Sequence, residues 1–199
     1  MNIPLSELIC TRISHDLIGN IGAVGNAVEL LEDGDIDFLD DIKSILQTSS
    51  FTLSARLKFF RMAFGLDNAS LDNKDVVLQV TKDYLQTIGN KNFSIIIEAS
   101  DISSKNNRYF MLSIMILADL FVRGGKIIIT EQSEKLCCVA QTDTNFASEK
   151  AMSVKRVLGG DVNEQVAWLA PSLYLYTCAK EKNLIINFEH DNSLKLEIG

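Results

Sequence analysis

Leu8-Ile9-Cys10-Thr11-Arg12-Ile13-Ser14-His15-Asp16-Leu17-Ile18-Gly19-Asn20-Ile21-Gly22-Ala23 is the stretch from which the rest of the chain is read. At about 100° per residue, Leu5, Ile9, Ile13, Leu17, Ile21, Val24, Val28 and Leu31 fall on one stripe of a helix expected from about Pro4 to Leu31. His15 lies nearly opposite that stripe and is expected to face solvent. Its lateral neighbours, three and four positions away, are Thr11, Arg12, Ile18 and Gly19, and Gly22 and Asn26 extend the same face. Gly19, Gly22 and Gly25 together remove about 2–3 kcal/mol of intrinsic helix stability. Two readings follow: a low surface where a partner approaches the helix backbone, or a kinked, weak helix.

Outward from this stretch, the next helix is expected from about Asp37 to Phe64. Leu39, Ile42, Leu46, Ser49, Leu53, Leu57, Phe60 and Phe64 recur at three- and four-residue steps close to a bundle heptad. Glu32, Asp33, Gly34 and Asp35 make the turn between the two helices. A lone hairpin cannot hide both apolar stripes, and a second copy would close a four-helix bundle. A homodimer is therefore expected, with packing of the hairpin onto its own chain as the alternative.

Gly65, Leu66, Asp67, Asn68 and Ala69 break the pattern, and the domain boundary is placed there: 1–67 a helical hairpin, 68–199 an α/β domain. The expected order in the second part is helix 73–88, strand 93–98, helix 106–121, strands 126–131 and 136–141, and helix 147–158. A helix over 164–181, bent or divided by Pro171, and a hairpin of strands 184–189 and 194–198 across His190 to Ser193 complete it. This order predicts one sheet covered on one face by helices. Trp168, Tyr174 and Tyr176 read as core.

The 199 residues suffice for one large domain or two small ones, with 47% hydrophobic and 23% charged residues, an ordinary globular balance. A net charge of −7 without a Lys/Arg cluster argues against nucleic acid. Cys10, Cys137, Cys138 and Cys178 show no CxxC spacing and no histidines placed to complete a zinc set, and read as reduced, mostly buried thiols. Glu7 in the first apolar stretch and the absence of a basic start argue against a signal peptide. The apolar run from Tyr109 to Val122 holds Ser113 and Asp119 and falls short of the ~20 residues that span a bilayer. A soluble cytoplasmic protein, with no membrane contact, is expected.

An exposed helical histidine is ordinarily only a surface residue. Asp16 beside it changes the chemistry, since a carboxylate can hold one ring nitrogen of a neutral imidazole and leave the other as nucleophile. Asp16 reads equally as a solvated charge. His190, between Glu189 and Asp191 at a strand end, is a weaker candidate and reads as a turn residue.

Thr11 to Leu17, followed by Gly22, Ala23, Asn26, Glu29, Leu30 and Leu31, resembles the ChpT-type histidine phosphotransferases of alphaproteobacteria, relatives of histidine kinases. The phosphoacceptor segment of such kinases reads His, acidic, Leu, two variable residues, Pro; Asn20 stands at the proline position here. The resemblance extends over nearly the whole chain. It implies an α+β protein in which a dimeric four-helix bundle is followed by a degenerate histidine-kinase-type ATPase-like α/β sandwich.

Arg123, Gly124, Gly125, Lys126, Ile127, Ile128 and Ile129 resembles the segment after the first ATP-site helix. Ile116 occupies the place of the kinase's magnesium-binding asparagine, and Thr142, Asp143, Thr144, Asn145 and Phe146 that of an Asp-x-Gly-x-Gly motif. Gly159 and Gly160 are too sparse for the second glycine-rich box, and Gly124 and Gly125 read as a helix stop.

The resemblance implies a phosphotransferase in which His15, beside Asp16, carries a phosphoryl group between aspartates of response-regulator receiver domains, one of them on a hybrid histidine kinase. No cofactor or metal is expected on this chain; the receiver would bring Mg²⁺. Thr11, Arg12, Ile18, Gly19, Asn20, Gly22 and Asn26 make up the expected partner patch. Arg12 is expected to pair with receiver carboxylates or phosphoryl oxygens, or else with Glu7 or Asp16. The rivals are a diverged histidine kinase and a non-catalytic dimeric adaptor of a two-component system.

Overall fold

The computed structural model describes residues 3–32, 38–65, 68–88, 94–99, 102–191 and 193–199. The turn expected at 32–35 past Glu32, the residue before the 67/68 boundary, the first residue of the 93–98 strand and part of the turn at 190–193 lie outside them.

Two long helices, α1 (Leu5–Glu32) and α2 (Leu39–Phe64), form the hairpin. A single turn, α3 (Asn68–Leu71), and α4 (Lys74–Ile88) follow. Then come β1 (Ser94–Ala99), α5 (Asn107–Ala118), β2 (Gly124–Gln132), β3 (Lys135–Gln141), α6 (Ser148–Leu158), α7 (Ala170–Glu181), β4 (Ile186–His190) and β5 (Leu194–Ile198). The mixed α+β architecture is the expected one.

The sheet order is β1-β2-β3-β5-β4, with β1 parallel to β2 and the other pairs antiparallel. Alternation puts Ile127, Ile129, Leu136, Cys138, Ala140, Leu194, Leu196 and Ile198 on the buried face. The register sets Ile129 opposite Cys138 and Cys138 opposite Leu196. α5 lies against this face, and every residue from Tyr109 to Ala118 is buried. Ile96, Thr130 and Glu98 lie on the open side.

Four expectations change. α7 begins at Ala170 with Pro171 in its first turn, so the proline opens the helix instead of bending it; it has no N–H to lose there, and its ring disfavours helix in the residue before it. Gly124 and Gly125 are not a helix stop, because α5 has already ended at Ala118. They open β2, where Gly124 has φ +87° and pairs with Ser94; a Cβ there would run into the Ser94 carbonyl. The cysteines are not mostly buried: Cys138 is, whereas Cys10 is exposed and Cys137 and Cys178 lie between. Trp168, Tyr174 and Tyr176 are only partly buried, packed at the rim of the core.

The heptad read in α2 is one of two buried rows. Ile42, Ser49 and Phe60 are inside as expected, but Thr52, Ala55, Phe59, Met62 and Ala63 are buried as well. The second row exists because α4 packs on α2, where Phe59 stacks on Tyr84 with ring centroids 3.9 Å apart. The hairpin is thus half committed to its own chain: the lower part of α1 meets α7, and Leu8 and Leu17 join the common core. Its other faces leave Ile21, Val28, Leu31, Leu39, Phe51 and Leu57 exposed.

Candidate functional site

His15 sits midway along α1 with its side chain 84% exposed, the position the helical stripe predicts. Its Nδ1 lies 3.4 Å from Oδ1 of Asp16. With a neutral ring protonated on Nδ1 toward this oxygen, Nε2 presents its lone pair to solvent.

Asp16 is not a solvated flank charge. Its carboxylate is only 15% exposed, and Oδ2 accepts from Nε of Arg12 at 2.8 Å, the i,i+4 geometry of a helix face. Its backbone carbonyl accepts from Nη1 of Arg56, which itself donates to Thr87 through Nε to Oγ1 at 3.1 Å and through Nη2 to the carbonyl at 2.8 Å. Helices α1, α2 and α4 are therefore tied together at the residue after the histidine.

Arg12 corrects the sequence reading. Expected on the partner patch, it is buried, and its guanidinium points inward to Asp119 just past the end of α5, with Nη1 and Nη2 at 2.6 and 3.0 Å from the two carboxylate oxygens. Nη1 also lies 3.4 Å from the carbonyl of Trp168. The alternative pairing with Asp16 is present; pairing with Glu7 is not the one formed. Burial by itself disfavours the cation, but the charge and hydrogen bonds of Asp119, and then the charge of Asp16, outweigh it and hold the guanidinium pKa above its ordinary value. Tyr84, wholly buried beside this group, has its phenol pushed far up, by burial first and by the charge of Asp119 second.

The other members of the expected patch lie along the same helix, α1, on both sides of His15. Thr11, Ile18, Gly19, Gly22 and Asn26 are exposed and Asn20 is half-buried; Ile18 is 65% exposed, unusual for a branched aliphatic side chain. A Cβ at Gly19, Gly22 or Gly25 would meet nothing within 4 Å, so no internal packing requires glycine there. Thr11 turns its hydroxyl back to the carbonyl of Glu7 at 2.8 Å. His190 is distant in role, its ring edge-on to Phe146 at the end of β4. Sequence reasoning missed Asp119 and Arg56, which lie 107 and 40 residues from their partners and leave no local pattern.

Ile116 is 2% exposed inside α5, a hydrocarbon side chain in the core. The 142–146 segment closes on the start of β2: Thr142 Oγ1 donates to the carbonyl of Gly124 at 2.8 Å, and Phe146 packs on Phe121 with centroids 5.3 Å apart. Among the described residues no group of three or more His, Cys, Asp and Glu is placed to hold a metal ion, and no helix is long and apolar enough to cross a membrane.

No family model matches the chain. Over 63 residues, 32% of this chain, it is 44% identical to the protein phosphotransferase ChpT of Brucella abortus strain 2308. Over its full length it superposes on a bacterial phosphotransferase solved at 1.7 Å, with a TM-score of 0.79 at 22% identity, covering 98% of that chain. The sequence of this chain is thus similar to ChpT over that stretch, and its fold to that of a bacterial phosphotransferase. The aligned stretch spans 29% of the length of the Brucella ChpT protein. The blue-light activated histidine kinase of Erythrobacter litoralis EL346 aligns over 93% of this chain at 13% identity with a TM-score of 0.45. Likeness to ChpT rests on that one stretch of similar sequence, and the whole-chain overlay shows a fold shared with a bacterial phosphotransferase.

Proposed function

We propose that this chain is a histidine phosphotransferase that relays a phosphoryl group between receiver-domain aspartates in a bacterial phosphorelay, in the cytoplasm. The observation that carries this reading is the highly exposed imidazole of His15, with Nδ1 facing a carboxylate that is itself held in place, beside a low glycine surface. Sequence likeness to ChpT over 63 residues and a fold shared with a bacterial phosphotransferase support it.

In this reading Nε2 of His15 attacks the phosphorus of an aspartyl phosphate. The bond from phosphorus to the aspartyl oxygen breaks, the receiver carboxylate leaves with the electron pair, and an N–P bond forms. The ring becomes an imidazolium that keeps its proton on Nδ1, and Asp16 faces the new positive charge. The reverse sequence delivers the group to a second receiver. Such transfer has a loose transition state with charge spread over three oxygens, so positioning and electrostatics do most of the catalysis. Mg²⁺ belongs to the receiver, whose acidic ligands would hold it. Thr11, Ile18, Gly19, Asn20, Gly22 and Asn26 form the docking track, including for the receiver of a hybrid kinase. Two chains pair through the apolar faces of α1 and α2 in a four-helix bundle, which covers Ile21, Val28, Leu31 and Phe51.

The test is incubation with phosphorylated receiver domains. Acid-labile, base-stable phosphate on His15, lost in His15→Ala, is the expected result. Autophosphorylation from ATP would replace this reading with a kinase, and full signalling by His15→Ala in cells would replace it with an adaptor.

A further inference from the structure

We propose that Asp119, although outside the hairpin and away from the reacting atoms, is a positioning residue for His15, acting through Arg12 and Asp16. This rests on the phosphotransfer reading, but its first readout does not.

The side chains form one unbroken path. Asp119 holds the guanidinium of Arg12 by both oxygens at 2.6 and 3.0 Å, Arg12 Nε holds Asp16 Oδ2 at 2.8 Å, and Asp16 Oδ1 faces His15 Nδ1 at 3.4 Å. With the Trp168 carbonyl, four of the five guanidinium N–H groups are directed at named acceptors. The side chains are 20% exposed at Asp119, 10% at Arg12 and 15% at Asp16, against 84% at His15. Three largely enclosed side chains thus support a free one.

The arrangement runs against what stability alone would select. A carboxylate at a helix C-terminus opposes the helix dipole, and Asp119 caps the C-terminus of α5. A buried ion pair is commonly replaceable by hydrocarbon without loss of stability. What hydrocarbon cannot do is fix the orientation of a carboxylate. A planar fork held by Asp119 leaves Arg12 one direction in which to offer Nε, and so leaves Asp16 one orientation, with Oδ2 occupied and Oδ1 turned to the imidazole. The consequence is a ring with its proton kept on Nδ1 and its lone pair on Nε2.

The test compares wild type with Asp119→Asn and Arg12→Lys, the latter keeping the charge but losing the fork. Nitrogen-15 NMR of the His15 ring, at a pH where it is neutral, reads the tautomer and needs no phosphoryl donor. Phosphoramidate, whose P–N bond breaks to release ammonia as the N–P bond to histidine forms, reads nucleophilic reactivity by mass spectrometry. Expected are a mainly Nδ1–H ring in wild type, a shift toward Nε2–H in both variants, and labelling of His15 slowed toward the roughly hundredfold that an ångström of misplacement costs. Thermal melts identify any unfolded variant, and the folded one of the pair then decides. If a folded variant keeps the wild-type tautomer and labelling rate, or if wild type itself is mainly Nε2–H, Asp119 is only a structural tie. Failure of the phosphotransfer reading looks different: the tautomer shift is present, but no phosphorylated receiver loads His15.

Discussion

At the scale of single residues, the contact that organises the site is the two-oxygen grip of Asp119 on Arg12. The helical stripe put His15 outward and Leu17 inward from spacing alone, and both lie so. A helical wheel places Arg12 beside His15 and within reach of Asp16, while the second acceptor that draws it inward, Asp119, is 107 residues away. Cysteine environments allow a direct check at this scale. Cys138 is fully buried, and burial pushes its thiol up to about 12 despite a hydrogen bond with Ser113. Iodoacetamide at pH 8 is expected to label the exposed Cys10 first, with Cys138 modified only on unfolding; peptide mapping against time reads the order. Rapid modification of Cys138 in the folded protein would mean that the sheet opens locally.

Among the elements, α1 carries a testable conflict between its own stability and its proposed role. Gly22→Ala has open space for the new methyl and removes a helix glycine, so it is expected to stabilise α1 by about 1 kcal/mol and raise the melting temperature by about 2–4 °C. If the glycine face is the docking track, the same substitution weakens receiver binding, measured by titration calorimetry. A gain in stability with unchanged binding would return these glycines to the weak-helix reading.

The sheet offers a pH test. Glu131 of β2 accepts from the backbone N–H and the hydroxyl of Ser103 at 2.8 and 2.7 Å. Burial alone would raise its pKa, but the Ser103 bonds outweigh it and leave the pKa below the ordinary carboxylate value. A depressed folded pKa stabilises above the unfolded value and is lost as pH falls through the folded one. The melting-temperature gap between wild type and Glu131→Gln is therefore expected to be largest near pH 6–7 and to close below about pH 4.

Helix and strand periodicity made the order of these elements legible, down to the boundaries of α1, α2 and β5. Pro171 was misread because Val166 to Leu169 continue an apolar rhythm across it. The two glycines of β2 were misread because φ and neighbouring strands are tertiary facts.

For the whole molecule, the decisive junction is α2 against α4, with Phe59 fully buried and stacked on Tyr84. Phe59→Ala is expected to cost about 3–5 kcal/mol. Because that ring belongs to the core shared by hairpin and sheet, calorimetry is expected to show a single transition moved down intact. Two separated transitions would mean that the hairpin folds independently. The exposed apolar faces of the hairpin, if covered by a second chain, make the melting temperature rise with protein concentration. Val28→Glu is expected to remove that dependence and halve the mass in light scattering. A wild type whose melting temperature ignores concentration and whose mass is that of one chain would leave the hairpin unpaired.

Ile116 also bears on what the chain can become. It is enclosed by α5 and its neighbours, and an asparagine there would carry an amide into hydrocarbon, at about 1–3 kcal/mol if left without partners. Ile116→Asn is thus expected to lower the melting temperature of the chain. The packing around Ile116 acts as a filter on sequence change: a polar side chain is resisted inside α5, whereas the exposed residues of α1 are free to vary.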